Sequence, residues 1–177
     1  MDVLVGYASS HGSTRGVAER IAARLGEQGC RVEVRPLDQA THVGDYDAAV
    51  LGSAIHNGGW LPQAAEFVRR NRTVLAVRPV WLFSVATIGD QDSMLAPAVT
   101  RLFRRFGTQP KNLADFQETI HPQDHHGFVG AVELDHYPLI GRLIYRAMGG
   151  RYGDHRNWNE IDLWASSIAR KLVTWSA

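Results

Sequence analysis

Apolar residues in this chain come in short unbroken runs, separated by stretches whose apolar positions recur every three or four residues. VLVGY at residues 3–7 suits a strand buried on both faces. Val17, Ile21, Ala22 and Leu25 then follow helical spacing, and Gly29 supplies a stop. Arg31–Pro36 alternates as a second strand, and DAAVLG at residues 47–52 is a third, buried one. The connection DQATHVGDY between them is too short for a full helix, so this crossover is abbreviated.

Pro62 opens a helix with an apolar stripe of Ala65, Phe67 and Val68, and PVWLFSVA at residues 79–86 is a fourth strand. Residues 94–106 predict a helix with Leu95, Ala98, Val99, Leu102 and Phe106 on one side and Arg101, Arg104 and Arg105 largely on the other. Residues 109–126 are polar and His-rich and predict a long loop. GFVGAVEL at residues 127–134 predicts the fifth strand. PLIGRLIYRAM at residues 138–148 predicts a short amphipathic helix closed by Gly149 and Gly150, and Ile161, Trp164, Ile168 and Leu172 mark the last helix.

Strands that alternate with helices, each nearly continuous in hydrophobicity, predict an α/β fold with a parallel sheet covered on both faces. Five such strands suit one flavodoxin-like, doubly wound domain over residues 1–177. Its sheet order is 2-1-3-4-5, with a short helical insertion after the last strand. At 177 residues the chain buries a core without a disulfide or metal staple. Cys30 is the only cysteine, which excludes an internal disulfide. Nineteen basic against 18 acidic residues exclude a strong nucleic-acid footprint. The N-terminus enters a strand directly, and no apolar run nears the roughly 20 residues that span a bilayer, so a soluble, cytoplasmic protein is expected.

Between the first strand and its helix lie Ser9, Ser10, His11, Gly12, Ser13 and Thr14. Such a loop offers free backbone N–H groups, hydroxyl donors and the positive end of a helix to an anion. It holds no lysine and no GxGxxG, which excludes a nucleoside-triphosphate loop and a dinucleotide loop. A phosphate monoester fits; so, for this stretch alone, does an N-cap cluster around Ser13 and Thr14. GSAIHNGGW follows the third strand, with Ala54, Ile55, His56, Asn57, Gly58, Gly59 and Trp60. SVATIGD follows the fourth, with Ser84, Val85, Ala86, Thr87, Ile88 and Gly89. Three such loops on one sheet edge could hold a phosphate, a polar chain and a flat ring in that order.

The first loop is similar to the FMN phosphate loop of flavodoxins. SSHGST, YDAAVLGSAIHNGGW, the FSV ending the fourth strand and GAVELDHYPLIGRLIYRAMGG before a Trp-containing last helix together resemble the menaquinone-dependent protoporphyrinogen dehydrogenase family. The resemblance implies FMN, with its phosphate against residues 9–14 and its ring between residues 54–60 and 85–89. It also implies a porphyrinogen-like planar substrate and a quinone acceptor. The flavin carries the redox chemistry, so no catalytic side chain is required. His56 borders the expected ring, where it assists protonation or serves packing, and Trp60 covers the ring edge or packs on the helix that Pro62 begins. A peptide within Asn57-Gly58-Gly59 is expected to turn its carbonyl toward the ring on reduction.

Flavodoxins that only shuttle electrons are commonly acidic and often shield the ring with aromatics. Here the charge is near neutral and SVATIGD has no aromatic residue, which favours an enzyme over a carrier. The alternatives are an electron carrier, or a flavin reductase using another quinone, nicotinamide or deazaflavin. Arg142 and Arg146 lie four apart on the inserted helix, followed by Arg151 and Arg156. They suit substrate carboxylates, anionic lipid on the inner face of the cell membrane, or a solvated helix face. His121, His125, His126 and His136 lack cysteines or carboxylates at ligand spacing and read as solvated histidines, with no metal site expected.

Overall fold

Val3 and Val5 turn to one side of the first strand and Leu4 to the other, and this alternation splits the protein into two cores around one sheet. The computed structural model describes residues 1–40, 43–134 and 138–175. Strands β1 (Asp2–Ala8), β2 (Arg31–Pro36), β3 (Ala48–His56), β5 (Val80–Ala86) and β6 (Asp124–Val129) are all parallel, in the order β2-β1-β3-β5-β6. Taken as five long strands, this is the expected 2-1-3-4-5. The two-residue β4 (Gly59–Trp60) pairs antiparallel with the end of β3.

On one face, α1 (Ser13–Glu27) and α7 (Trp158–Trp175) pack Val17, Ile21, Leu25, Ile161, Trp164, Ile168 and Leu172 against Val3, Val5, Val50, Trp81 and Phe83. On the other, α2 (Pro62–Arg70), α3 (Arg72–Leu75) and α5 (Leu113–Ile120) pack Phe67, Val68, Leu75, Leu113, Phe116 and Ile120 against Leu4, Leu51 and Leu82. Each fully buried Leu or Phe contributes about 1.5–3 kcal/mol. The β2–β3 crossover carries no helix among its described residues; Thr41 and His42 lie outside them.

Four boundaries differ from the sequence pattern. Residues 109–126 are not one long loop: Leu113, Phe116 and Ile120, spaced three and four apart, fold as α5 and bury in the second core. The last strand runs over Asp124–Val129 rather than residues 127–134, because His125 and His126 find hydrogen-bond partners within the fold and so need no solvent. These two histidines are therefore not solvated loop residues; His136 lies outside the described residues. Beyond Gly130, β7 (Ala131–Val132) turns off the sheet to pair with β8 (Gly153–Asp154). Strand β3 continues four residues past Gly52, to His56.

The fourth difference is α4 (Pro97–Phe106), which starts three residues later than expected because Pro97 has no N–H to donate to a preceding turn. Met94 and Leu95 lie ahead of it, in a third cluster with Val129, Val132 and Tyr145. Leu102 and Phe106, predicted for the buried side, are exposed. The inserted helix is α6 (Leu139–Ala147); its buried residue is Tyr145, which joins the same third cluster beyond the sheet edge.

Candidate functional site

The C-terminal ends of β1, β3, β5 and β6 surround a cavity of about 290 Å³, near the lower end of the roughly 300–1,000 Å³ usual for ligand sites. Into it come Ser9, Ser10, His11, Ser13 and Thr14 from the first loop, Ala54, Ile55 and His56 from β3, and Val85, Ala86 and Thr87 from β5. A larger groove of about 480 Å³ borders β2, but its Glu33, Arg35 and Tyr46 side chains bond one another and leave little for a ligand.

The first loop is shaped as an anion cradle. Gly12 sits at φ +84° as the N-cap of α1, where a residue with a Cβ is strained, and its N–H donates to Ser9 Oγ at 2.9 Å. No side chain caps α1 and no acidic residue lies in its first turn, so the unpaired N–H groups and the helix dipole favour negative charge. Ser13 Oγ accepts from the Ala131 N–H at 2.9 Å, which ties the loop to the segment after β6. Thr14 Oγ1 is buried with no hydrogen-bond partner. A buried orphan hydroxyl beside free N–H groups is what a phosphate oxygen would satisfy.

The second loop is largely a hairpin. Ile55 pairs with Trp60 and His56 with Gly59, and between them Asn57 (φ +51°) and Gly58 (φ +78°) make the tight turn for which an Asn-Gly pair is suited. The Gly58 carbonyl accepts from the Lys111 N–H at 2.9 Å, and Asn112 Oδ1 accepts from the Trp60 N–H at 2.9 Å. His56 is exposed at the cavity. Asn57, Gly58 and Gly59 shape the hairpin without lining the cavity. Trp60 is 4% exposed and turned inward, its indole N–H on Ser84 Oγ and its ring edge-on to Phe116 at 5.1 Å. It belongs to the second core, packed beside Phe116.

The third loop is tied down at many points. Gly89 N–H donates to the Asp92 carbonyl, Asp90 N–H to the Gly127 carbonyl and Met94 N–H to the Thr87 carbonyl, while Asp90 Oδ2 accepts from Gly127 N–H. Ser84 borders a neighbouring small cavity rather than this one, its hydroxyl 2.8 Å from His125 Nε2. Burial pushes the His125 imidazole pKa below its ordinary value, so it is neutral at pH 7. His126 Nε2 meets buried Glu160 Oε1 at 2.8 Å. Ile88 borders a separate enclosed cavity of about 80 Å³ with Ile55, Ser84, Ala86 and His125. Among the described residues no group of three or more His, Cys, Asp or Glu side chains could hold a metal ion.

Sequence reasoning missed the fourth wall, made by Gly130, Ala131, Val132 and Pro138. The glycine inside GFVGAVEL was the available signal, since it marks where the strand leaves the sheet. Among the described residues of the inserted segment only Pro138 reaches the cavity; Arg142 and Arg146 lie farther along α6. No Phe, Tyr or Trp lines the cavity among the described residues. The arrangement is shaped for an anion at one end and a flat, largely apolar group between β3 and β5.

Residues 4–156 match the flavodoxin domain family. The chain is 26% identical over 180 aligned positions to the protoporphyrinogen IX dehydrogenase [quinone] of Escherichia coli K12, covering 96% of this chain and 95% of that one. Its fold is similar to oxidised flavodoxin 2 from Bacillus cereus, with a TM-score of 0.60, 17% identity and coverage of 97% and 99% of the two chains. It is also similar to part of the rubredoxin oxygen:oxidoreductase of Desulfovibrio gigas, with a TM-score of 0.63 and 19% identity. That match covers 99% of this chain but only 37% of the larger protein.

Proposed function

This chain belongs to the flavodoxin domain family and binds FMN, and from that premise we propose an oxidoreductase that takes hydride from a porphyrinogen-like planar substrate and passes electrons to menaquinone. When bound, FMN supplies the two-electron chemistry. The chain's own residues would hold and orient it: residues 9–14 would take the phosphate on N–H groups and on the Thr14 hydroxyl, and residues 54–56 and 85–87 would flank the ring. No side chain need act as nucleophile, and His56 at the cavity is placed to hold a proton near the ring.

The observation that carries this reading is the apolar approach to the cavity. Val85, Ala86, Val132 and Pro138 leave a wall without an aromatic side chain, against which a planar substrate can stack. Directly after Pro138, α6 turns Leu139, Ile140, Leu143 and Ile144 outward, 55–80% exposed, beside Arg142 and Arg146. An apolar face with arginines suits peripheral contact with the cytoplasmic side of a bilayer, where a quinone is dissolved. Among the described residues no helix is long and apolar enough to cross a membrane. The full-length relation to a quinone-linked dehydrogenase supports the same substrate class and acceptor.

The test is anaerobic: load the protein with FMN, add protoporphyrinogen and then a menaquinone analogue, and follow flavin absorbance. Bleaching by the first and recovery with the second is expected; no bleaching by the porphyrinogen removes the substrate assignment and leaves the fold and cofactor intact. The likeness to electron-carrying flavodoxins favours one second reading, a carrier. A carrier accumulates the one-electron form of its flavin in a redox titration, whereas the proposed enzyme shows little of it.

A further inference from the structure

Beyond the flavin cavity, where α6 ends and α4 begins, lies an open groove of about 640 Å³. Ala96, the N-cap of α4, donates its N–H to the carbonyl of Met148 at 3.1 Å, and Arg151 N–H donates to the Met94 carbonyl at 3.0 Å, so the loop after β5, α4 and the segment that follows α6 wall the groove together. Three guanidinium groups line it, from Arg101, Arg104 and Arg151, against one carboxylate, Asp92, which already accepts from Asn157 Nδ2.

These arginines keep most of their donors. Arg104 uses only Nη2, shared among the carbonyls of Gly89, Asp90 and Gln91 at 3.1–3.2 Å. Arg151 uses only Nη2, on the Ser93 carbonyl at 2.9 Å. Arg101 bonds no described residue. The wall is rigid: Ser93 Oγ accepts from Leu95 N–H and lies 2.7 Å from Thr100 Oγ1, a buried hydroxyl. α4 contains no acidic residue, so its three arginines, Arg101, Arg104 and Arg105, find no counter-charge within their own helix, although the whole chain is only +1. The groove is thus a rigid concavity with several guanidinium donors free to chelate oxyanions.

We propose that this groove is a second binding site, for a small organic polyanion bearing two or more carboxylate or phosphate groups, and that it reports to the flavin site through Arg104. Arg104 grips the three carbonyls that follow the β5 wall of the flavin cavity, so an anion that redirects its guanidinium changes how firmly that loop is held. By linkage the effect is mutual: the anion alters FMN affinity and FMN alters anion affinity by the same factor. The anion site itself does not depend on the proposed redox reaction.

The test uses the full chain without FMN, then with it, at constant ionic strength. Citrate and inorganic pyrophosphate are titrated separately, with sodium chloride as control, and followed by amide NMR. Saturable shifts centred on residues 91–104 and 149–151 are expected. Saturation by citrate alone identifies a polycarboxylate site, by pyrophosphate alone a phosphate site, and either supports the proposal. Arg101→Ala and Arg151→Ala should each weaken binding about tenfold. Arg101→Lys should recover part of the loss, and Arg72→Ala, exposed on α3, should change nothing. The saturating anion should shift the FMN dissociation constant about fivefold or more, and Arg104→Gln should abolish that shift. Shifts that chloride reproduces, binding undiminished in the Arg101→Ala, Arg151→Ala double variant, or an FMN affinity indifferent to the bound anion overturn it. Failure of FMN to bind at all would instead sink the flavoprotein reading and leave anion binding standing.

Discussion

The indole N–H of Trp60 donates to the hydroxyl of Ser84 over 2.8 Å, joining the hairpin beside the proposed flavin cavity to the adjacent strand β5. Both residues are at least 95% buried, and His125 Nε2 completes the chain from the neighbouring strand. Ser84→Ala leaves a buried indole N–H without an acceptor and should lower unfolding stability by about 2 kcal/mol in urea titrations. In that background Trp60→Phe, which removes the orphaned donor, should cost less than it does alone. A simple sum of the two single effects would show that the bond contributes nothing.

His125 should give the protein a pH dependence. Its folded-state pKa is depressed by burial, with Asp90 and Asp124 partly opposing and His126 adding to the depression. Above the ordinary value of about 6.5 the ring is neutral in both states and contributes no slope. As pH falls through that value the unfolded chain takes the proton first, so stability declines until the folded-state pKa is passed. His125→Gln should flatten the stability profile from about pH 6.5 downward, measured by urea midpoints at a series of pH values.

Asp162 on α7 accepts from Arg20 Nε and Nη2 and from Arg24 Nη2 of α1, each at 2.6 Å. The Arg24 and Arg20 hydrogen bonds hold its carboxyl far below the usual carboxylate range. Its contribution is therefore present above the unfolded-state pKa of about 3.9 and is lost as pH falls toward the folded value. Asp162→Asn should lower the melting temperature at neutral pH and shrink the difference from wild type as the solution is acidified below about pH 4.

Thr14→Val separates ligand binding from folding. The hydroxyl is buried without a partner in the protein, so replacing it by a methyl should leave the FMN-free protein as stable as before or slightly more so. FMN affinity should fall about tenfold if the hydroxyl meets the phosphate, read from quenching of flavin fluorescence. Unchanged affinity would place the phosphate elsewhere.

Gly58→Val tests whether the hairpin turn reaches the flavin environment. At φ +78° a β-branched residue costs about 1–2 kcal/mol, and the added Cβ would lie 3.2 Å from Lys111 Cε. If the Asn57-Gly58-Gly59 peptides respond to the ring, the flavin midpoint potential should shift in a redox titration at fixed pH. An unmoved potential would confine these residues to turn formation.

The three chemical loops were legible in the chain because strand ends, glycines and hydroxyl clusters are local features. Gly12 and Asn57-Gly58 occupy the positive-φ positions their types suggest. Less legible were Gly130–Val132 and Pro138 in the cavity wall, since nothing near them in sequence says that Ser13, more than a hundred residues earlier, accepts from the Ala131 N–H. Helix α5 was hidden because its apolar residues are only Leu113, Ala114, Phe116 and Ile120 among polar neighbours.

Alternating hydrophobicity settled the class of fold and the order of the long strands, because a residue pattern of period two or 3.6 dictates which side of an element must leave water. It did not settle which amphipathic helices find a partner. Residues 97–106 and 139–147 have patterns as regular as that of α7, yet α7 buries its stripe against the sheet while Leu102, Phe106, Leu139 and Leu143 face outward. The difference is space: α1 and α7 already cover one face and α2, α3 and α5 the other. Sheet area is a property of the assembled fold, so only the tertiary structure decides that α4 and α6 pack beyond the sheet, with α4 and the segment after α6 lining the arginine-rich groove.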